Sequence, residues 1–532
     1  MRFPVLHAAI AALFPPPALT QQVTLPTGAT ITGSFTTNDA GDQVQVFKGI
    51  PYAAEPPVGK KRWKPSTLAP TLSNDFNATV FGNICLSNPF MDGDSTGSLH
   101  SEDCLYLNVY TPVGANASSN FSVMVWTYGG GFIGGASDLY DGSNLIGAAN
   151  NEMVYVSFNY RLGIMGFLSN EQLSKEGVSG NLGLRDQEVA YEWIKQNICH
   201  FGGNPDDVTA FGESAGAMSI ALHLVARGGK QKHFEKAIME SGSYPSFYDM
   251  LSPTECATFS ATLAQGTECA NDENLMDCLR AVNESKIMEA AGFLDWRPSV
   301  DGEFLREAPV LLVQRGEFSR IPTIMGTNTD EGWIFVGAVA NEGDFTPYVT
   351  SQLNELMAGE LEQIETLYPV DAFATPHLRA SQLFTDLMFV CPSERFSNAL
   401  AETEVPTFRY RFAKQLPGVS LAVHGSEIAY VFNLSSNFFS LLGPITPDVD
   451  LATSIQEYWV NFAKTGSPNG NQSISSSPKW PSYDAVAKQQ ILLQINVTVE
   501  TSGAYMPTHT ERCAFWDATN ERVAATESSE VL

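Results

Sequence analysis

The segment DVTAFGESAGAMSIAL, residues 207–222, constrains the architecture of this chain more than any other stretch. Val208 to Phe211 are apolar and read as a short buried strand, and from Ala215 onward the apolar positions fit one face of a helix. Between them Gly212-Glu213-Ser214-Ala215-Gly216 fits G-x-S-x-G, a sharp strand-to-helix turn that exposes a serine oxygen. Glycine is needed on both sides because the turn brings backbones too close for a Cβ. Serine is also a common helix N-cap, so the pentapeptide alone leaves a capping role and a nucleophilic role open.

Apolar runs at 121–128, 153–159, 208–211, 236–240, 321–326 and 405–412 read as further strands, with helical stretches such as 186–198 between several of them. Strands alternating with helices imply an α/β fold: a large, mostly parallel central sheet with helices on both faces. In such sheets the chemistry gathers at the carboxyl ends of the strands. The 532 residues could form several domains, but no Ser/Gly linker, repeat or charge block divides them. We read 21–532 as one domain.

Residues 1–20 combine Arg2, a short apolar stretch and three consecutive prolines, which reads as a secretory signal cleaved near Thr20–Gln21. Val5–Phe14 is too short to span a bilayer, and no later segment reaches that length. Sequons begin at Asn77, Asn116, Asn120, Asn283, Asn433, Asn471 and Asn496, as expected of a secreted glycoprotein. Eight cysteines behind a signal sequence favour disulfides, and the absence of C-x-x-C and H-E-x-x-H argues against a metal site. With 30 Lys+Arg against 58 Asp+Glu, the net charge is −28, which argues against nucleic acid or an anionic membrane as a partner.

The glycine cluster YGGGFIGG (128–135) contains G-x-G-x-x-G, the dinucleotide fingerprint. That reading needs an acidic residue at the end of the next strand, whereas Glu152 precedes the run 153–159, and GASDLYDGS after Gly134 reads as loop. Beside Ser214 the glycines make better sense. Acyl transfer needs backbone N–H groups aimed at the developing oxyanion, and glycine lets the backbone approach the substrate.

The chain resembles the type-B carboxylesterase/lipase family, the cholinesterase-like branch of the α/β-hydrolases. The landmarks, in order, are FKGIPYAAEPPVGKKRWKP (47–65), SEDCLYLNVYTP (101–112), YGGGFIGGAS (128–137), NYRLGIMGFL (159–168), NLGLRDQ (181–187), FGGNPDDVTAFGESAGA (201–217), MGTNTDEGWIF (325–335) and YWVNFAKTGSPN (458–469). The resemblance implies an α/β-hydrolase fold and a secreted carboxylic-ester hydrolase that needs no cofactor. Ser214 is then the nucleophile. Spacing cannot choose between Asp330 and Glu331 as the acid; the family's motif puts it at Glu331. Of the eight histidines only His377, His424 and His509 follow Glu331, and His424 matches the family's catalytic position. His223 is excluded by geometry, because nine residues of helix place it about 13 Å from Ser214.

By the same resemblance the oxyanion donors are Gly130, Gly131 and Ala215, and Glu213 tunes the electrostatics of the pocket. Arg62–Glu102 and Arg161–Asp186 become buried ion pairs of the scaffold. Cys85–Cys104, Cys269–Cys278 and Cys391–Cys513 become disulfides, leaving Cys199 and Cys256 as free, buried thiols. Three other readings stand beside the esterase: a lipase or sterol esterase working on lipid aggregates, a cholinesterase, and an inactive adhesion protein of this fold. The cholinesterase tryptophan would fall between Cys85 and Cys104, where LSNPFMDGDSTGSLHSED has none. Its apolar residues, Leu86, Pro89, Phe90, Met91 and Leu99, are too scattered for the broad underside of a lipase flap. The expected substrates are therefore dissolved short- or medium-chain or aryl esters, with Phe438-Phe439 as the alternative cover.

Overall fold

A computed structural model describes residues 21–530 except 89–98, 247–249, 293, 354–355, 435–444, 471–476, 505 and 507. The expected signal (1–20), the sequon at Asn471, Phe438-Phe439 and most of the segment between Cys85 and Cys104 lie outside the described residues.

Among the described residues the centre is a 13-stranded sheet. Its main path uses β1 (Gln21–Thr24), β2 (Thr30–Thr37), β3 (Gln43–Pro51), β4 (Tyr106–Pro112), β5 (Phe121–Thr127), β6 (Met153–Phe158), β7 (Gly203–Glu213), β8 (Lys236–Glu240), β9 (Thr323–Asn328), β10 (Thr407–Phe412), β11 (Gln489–Leu493) and β12 (Thr498–Thr501). Their order is β1-β2-β3-β4-β6-β5-β7-β8-β9-β10-β11-β12, with the short strand Phe76–Asn77 beside β2. The contacts from β6 to β11 are parallel. The flanks β1–β4 and β12 pair antiparallel.

Each apolar run read from the sequence is one of the central strands. Parallel strands covered on both faces carry near-continuous apolar residues, and β6 and β8 are buried along their whole length. The outer strand β2 escapes such a reading. TITGSFTT in β2 is polar and only half-buried, so it carries no continuous apolar signal.

Helices α1 (Leu182–Asn197), α2 (Ala215–Gly229), α3 (Cys391–Ala401), α4 (Val449–Thr465) and α5 (His509–Glu530) support the site. Trp126, Tyr155 and Phe211 of the sheet interlock with Tyr140 and Phe432, their ring centroids about 5–6 Å apart. Among the described residues no helix is long and apolar enough to cross a membrane.

Disulfides join Cys85–Cys104, Cys269–Cys278 and Cys391–Cys513. Cys256 is a buried free thiol, but Cys199 is only half-buried, which corrects the expectation for that residue. It lies in the turn Ile198–Phe201, where Ile198 and Phe201 fill the core and leave Cys199 and His200 toward the surface. Arg62 Nη2 donates to Glu102 Oε2 at 2.8 Å, and Arg62 Nη1 donates to the carbonyls of Leu279 and Val282. Arg161 grips Asp186 with two hydrogen bonds of 2.7 and 2.8 Å. Removing one partner of such a buried pair typically costs about 3–5 kcal/mol.

Candidate active site

Ser214 stands between β7 and α2 with φ 55° and ψ −126°, a conformation that a residue with a Cβ seldom adopts. The surroundings enforce it. Ser214 N–H donates to the Glu240 carbonyl at 2.9 Å, and Met218 N–H donates to the Ser214 carbonyl at 2.8 Å. A Cβ on Gly212 would lie 2.5 Å from the Thr127 oxygen, and one on Gly216 only 1.9 Å from it. The elbow therefore fits only because β5 and the start of α2 approach without side chains between them.

After β5 the chain turns back over this elbow. Gly130 and Gly131 have φ of 100° and 62°. A Cβ on Gly129 would meet Ser214 Cβ at 2.8 Å, so the loop lies directly against the serine. The Gly130 carbonyl turns away to accept from Ile133 and Gly134. Among the described residues the N–H groups of Gly130, Gly131 and Ala215 donate to no other group.

The Glu331 and His424 loops are sewn together. Asp330 N–H donates to the Ala422 carbonyl and Ala422 N–H donates to Asp330 Oδ2, each at 2.9 Å. That commits Asp330 to the backbone of the histidine loop and points the next residue inward. Glu331 Oε2 then accepts from His424 Nδ1 at 2.7 Å, while Oε1 accepts from Asn328 N–H at 2.6 Å. Glu331, not Asp330, meets the imidazole. On the other side His424 Nε2 lies 3.1 Å from Glu213 Oε1. Phe389 and Phe335 pack on the ring with centroids 4.7 and 5.0 Å away. The other candidate histidines lie elsewhere. His223 is buried on α2 against Gln187, His377 reaches the Trp333 carbonyl, and His509 meets Glu394.

Several groups at the site are invisible to motif reading. Glu427, three residues after His424, accepts from Ser241 Oγ at 2.7 Å and from the Asn328 amide. Glu240 ends β8 and accepts from Trp459 Nε1 at 2.7 Å. Only the strand register brings Glu240 beside Glu213, and only the chain's return after β9 brings Asn328 to Glu427.

Three buried carboxyls, of Glu213, Glu331 and Glu427, thus act on one imidazole, and Glu240 lies beside Glu213 and Glu427. Burial pushes Glu213 up to about 8 against the pull of His424, and Glu427 and Glu331 push it the same way. Burial and Glu331 push Glu427 up to about 7. Burial disfavours charge on His424, yet Glu213 and Glu331 outweigh it and raise the imidazole to about 9. His424 and Glu213 therefore compete for one proton, and they titrate as a pair.

The parallel sheet, the strained serine at a strand's carboxyl end and the facing glycine loop define an α/β-hydrolase. The chain belongs to the carboxylesterase family, whose sequence profile matches residues 19–516. It is a carboxylic ester hydrolase. It is 34% identical over 519 residues to a cholinesterase of Mus musculus (90% of this chain, 83% of that protein). It is 37% identical over 464 residues to the fumonisin B1 esterase of Sphingopyxis macrogoltabida (83% and 82%). Over 479 residues it is 35% identical to the para-nitrobenzyl esterase of Bacillus subtilis strain 168 (86% and 92%). The crystal structure of Aspergillus niger EstA superposes with a TM-score of 0.82 at 26% identity, covering 94% of this chain and 98% of that one.

Proposed function

We propose that the protein is a secreted serine esterase acting through an acyl-enzyme on Ser214. His424 Nε2 takes the Ser214 proton, Ser214 Oγ attacks the ester carbonyl, and the alcohol leaves as His424 returns the proton. Water then repeats the sequence on the acyl-enzyme and releases the acid. Glu331 orients the imidazole and offsets its charge. The N–H groups of Gly130, Gly131 and Ala215 receive the oxyanion. The observation that carries this reading is the 2.7 Å bond from His424 Nδ1 to Glu331 Oε2, beside a serine held at positive φ. It fixes the ring so that Nε2, the other nitrogen, is the one available for proton transfer.

Secretion is supported by the three disulfides and by the exposed acceptors Asn77, Asn116, Asn120, Asn283 and Asn496. Residues 1–20 serve as the signal and 21–532 as one catalytic domain. For substrates we favour dissolved short- and medium-chain or aryl esters, on the polar and acidic character of residues 86–103. Relatives named for para-nitrobenzyl esters and fumonisin B1 fit an esterase of dissolved substrates. The test is the rate with tributyrin as its concentration passes the solubility limit. A smooth saturating curve is expected, and a sharp rise above the limit would make the enzyme an interface-activated lipase.

A further inference from the structure

Glu213 and Glu240 are Cα partners across β7 and β8. The same register continues to Gly326 on β9 and Tyr410 on β10. The four positions form one row, and side chains in such a row project to one face on strands about 4.8 Å apart. A Cβ on Gly326 would lie 2.2 Å from the Tyr410 ring, so glycine lets the phenol lie across β9 toward Glu240. Burial, and then the charges of Glu427 and Glu240, raise the Tyr410 hydroxyl, which places it among these carboxyls.

Glu240 Oε1 accepts from Trp459 on α4. Its Oε2 is buried without a hydrogen-bond partner among the described residues, and so is the Tyr410 hydroxyl, while Glu213 Oε1 meets His424 Nε2 at 3.1 Å without forming a hydrogen bond. Leaving such groups unpaired costs about 1–3 kcal/mol each. An ionised carboxylate can only accept, so two neighbouring carboxylates cannot satisfy each other; a neutral acid beside a carboxylate can.

The titratable groups facing Glu240 are Glu427, Glu213 and Tyr410, and Glu331 and His424 in turn face Glu213 and Glu427. No lysine or arginine pairs with any of the four carboxyls among the described residues. One imidazolium cannot balance four negative charges in a buried site.

We propose that Glu240 is held as the neutral acid and donates its Oε2 proton to Glu213, positioning that carboxylate against His424 Nε2 and limiting the negative charge that faces the imidazole. Burial and the neighbouring Glu427 push the Glu240 carboxyl well above the ordinary carboxylate range, in keeping with this state. The inference rests on the triad reading and deepens it. Glu240 touches no reacting atom; it acts through Glu213 and His424. Without its proton Glu213 would ionise less readily, and His424 would lose part of the charge that raises it.

Infrared spectroscopy of the full enzyme tests the proton without using activity. Above about 8, the value to which Glu213 is raised, the wild type should keep a protonated-carboxyl C=O stretch that Glu240→Gln removes. The kinetic arm compares Glu240→Gln with Glu240→Met. Glutamine still accepts from Trp459 and donates to Glu213, so the acid limb of kcat/KM should move by less than about 0.3 unit; methionine should lower it by about one unit. Identical infrared spectra for wild type and Glu240→Gln would overturn the proposal. So would a limb that Glu240→Gln lowers as far as Glu240→Met. Where Glu240→Met does not fold, the infrared difference decides alone. Because that band does not depend on Ser214, failure of the triad and failure of this proposal are read separately.

Discussion

His424 Nε2 sits 3.1 Å from Glu213 Oε1, so the nitrogen assigned to proton transfer faces the carboxyl of the residue that precedes Ser214. Glu213 and Glu331 bracket the ring and raise it to about 9, above its ordinary value of 6.5. The proposed mechanism needs neutral His424, so kcat/KM should fall on the acid side, with its limb above the ordinary imidazole value.

Glu213→Gln removes one of the three carboxyl charges, of Glu213, Glu331 and Glu427, that favour the imidazolium. The imidazole pKa then falls and the acid limb should move to lower pH, by about one unit. A limb that stays in place or moves upward would show that Glu213 does not act on His424.

Exchanging the two adjacent acids separates their roles. Glu331→Gln should cut kcat by about 10³–10⁴ with little change in folding, because the amide no longer fixes the imidazole. Asp330→Asn keeps much of the activity but loses about 1 kcal/mol of stability, since the Ala422 N–H loses a charged acceptor. Thermal unfolding and steady-state rates of the two variants would show the split, and a larger kcat loss in Asp330→Asn would reverse the assignment.

The central strands and the elbow were legible because each is encoded locally. VTAF followed by GESAG combines an apolar run with two glycines, and the contacts at Gly212 and Gly216 give the physical reason. The choice of Glu331 over Asp330 was not local. It depends on Asp330 being consumed by Ala422, 92 residues away. Glu240, Glu427 and Trp459 were invisible for the same reason, since chain return brings Glu427 to Asn328 and strand register sets Glu240, with Trp459 bound to it, beside Glu213. The half-buried Cys199 shows the converse: a free cysteine expected to be buried lies in a turn whose neighbours fill the core instead.

Gly216→Ala should be severely destabilising rather than merely slow, because its Cβ would lie 1.9 Å from the Thr127 oxygen. Backbone must move in β5 or α2, and overpacking of this kind costs about 1–3 kcal/mol or more. A Gly216→Ala enzyme with wild-type melting and rate would contradict the packing of the elbow.

The disulfides should contribute unequally. Cys391–Cys513 spans 122 positions and Cys269–Cys278 spans 9. In the chain-entropy model the first constrains the unfolded chain by about 5 kcal/mol and the second by about 2–3. Denaturant unfolding of the two paired Cys→Ser variants should order them accordingly; equal losses would mean that strain or residual structure dominates.

The most direct measurement is covalent trapping of the nucleophile. A fluorophosphonate is attacked by an activated serine, which displaces fluoride and keeps the phosphonyl group. Intact mass followed by peptide mapping should find one phosphonyl group per chain on Ser214, with ester hydrolysis lost in step. Ser214→Ala should take up none while melting close to the wild type. Labelling at another residue, or full hydrolysis by Ser214→Ala, would contradict the assignment.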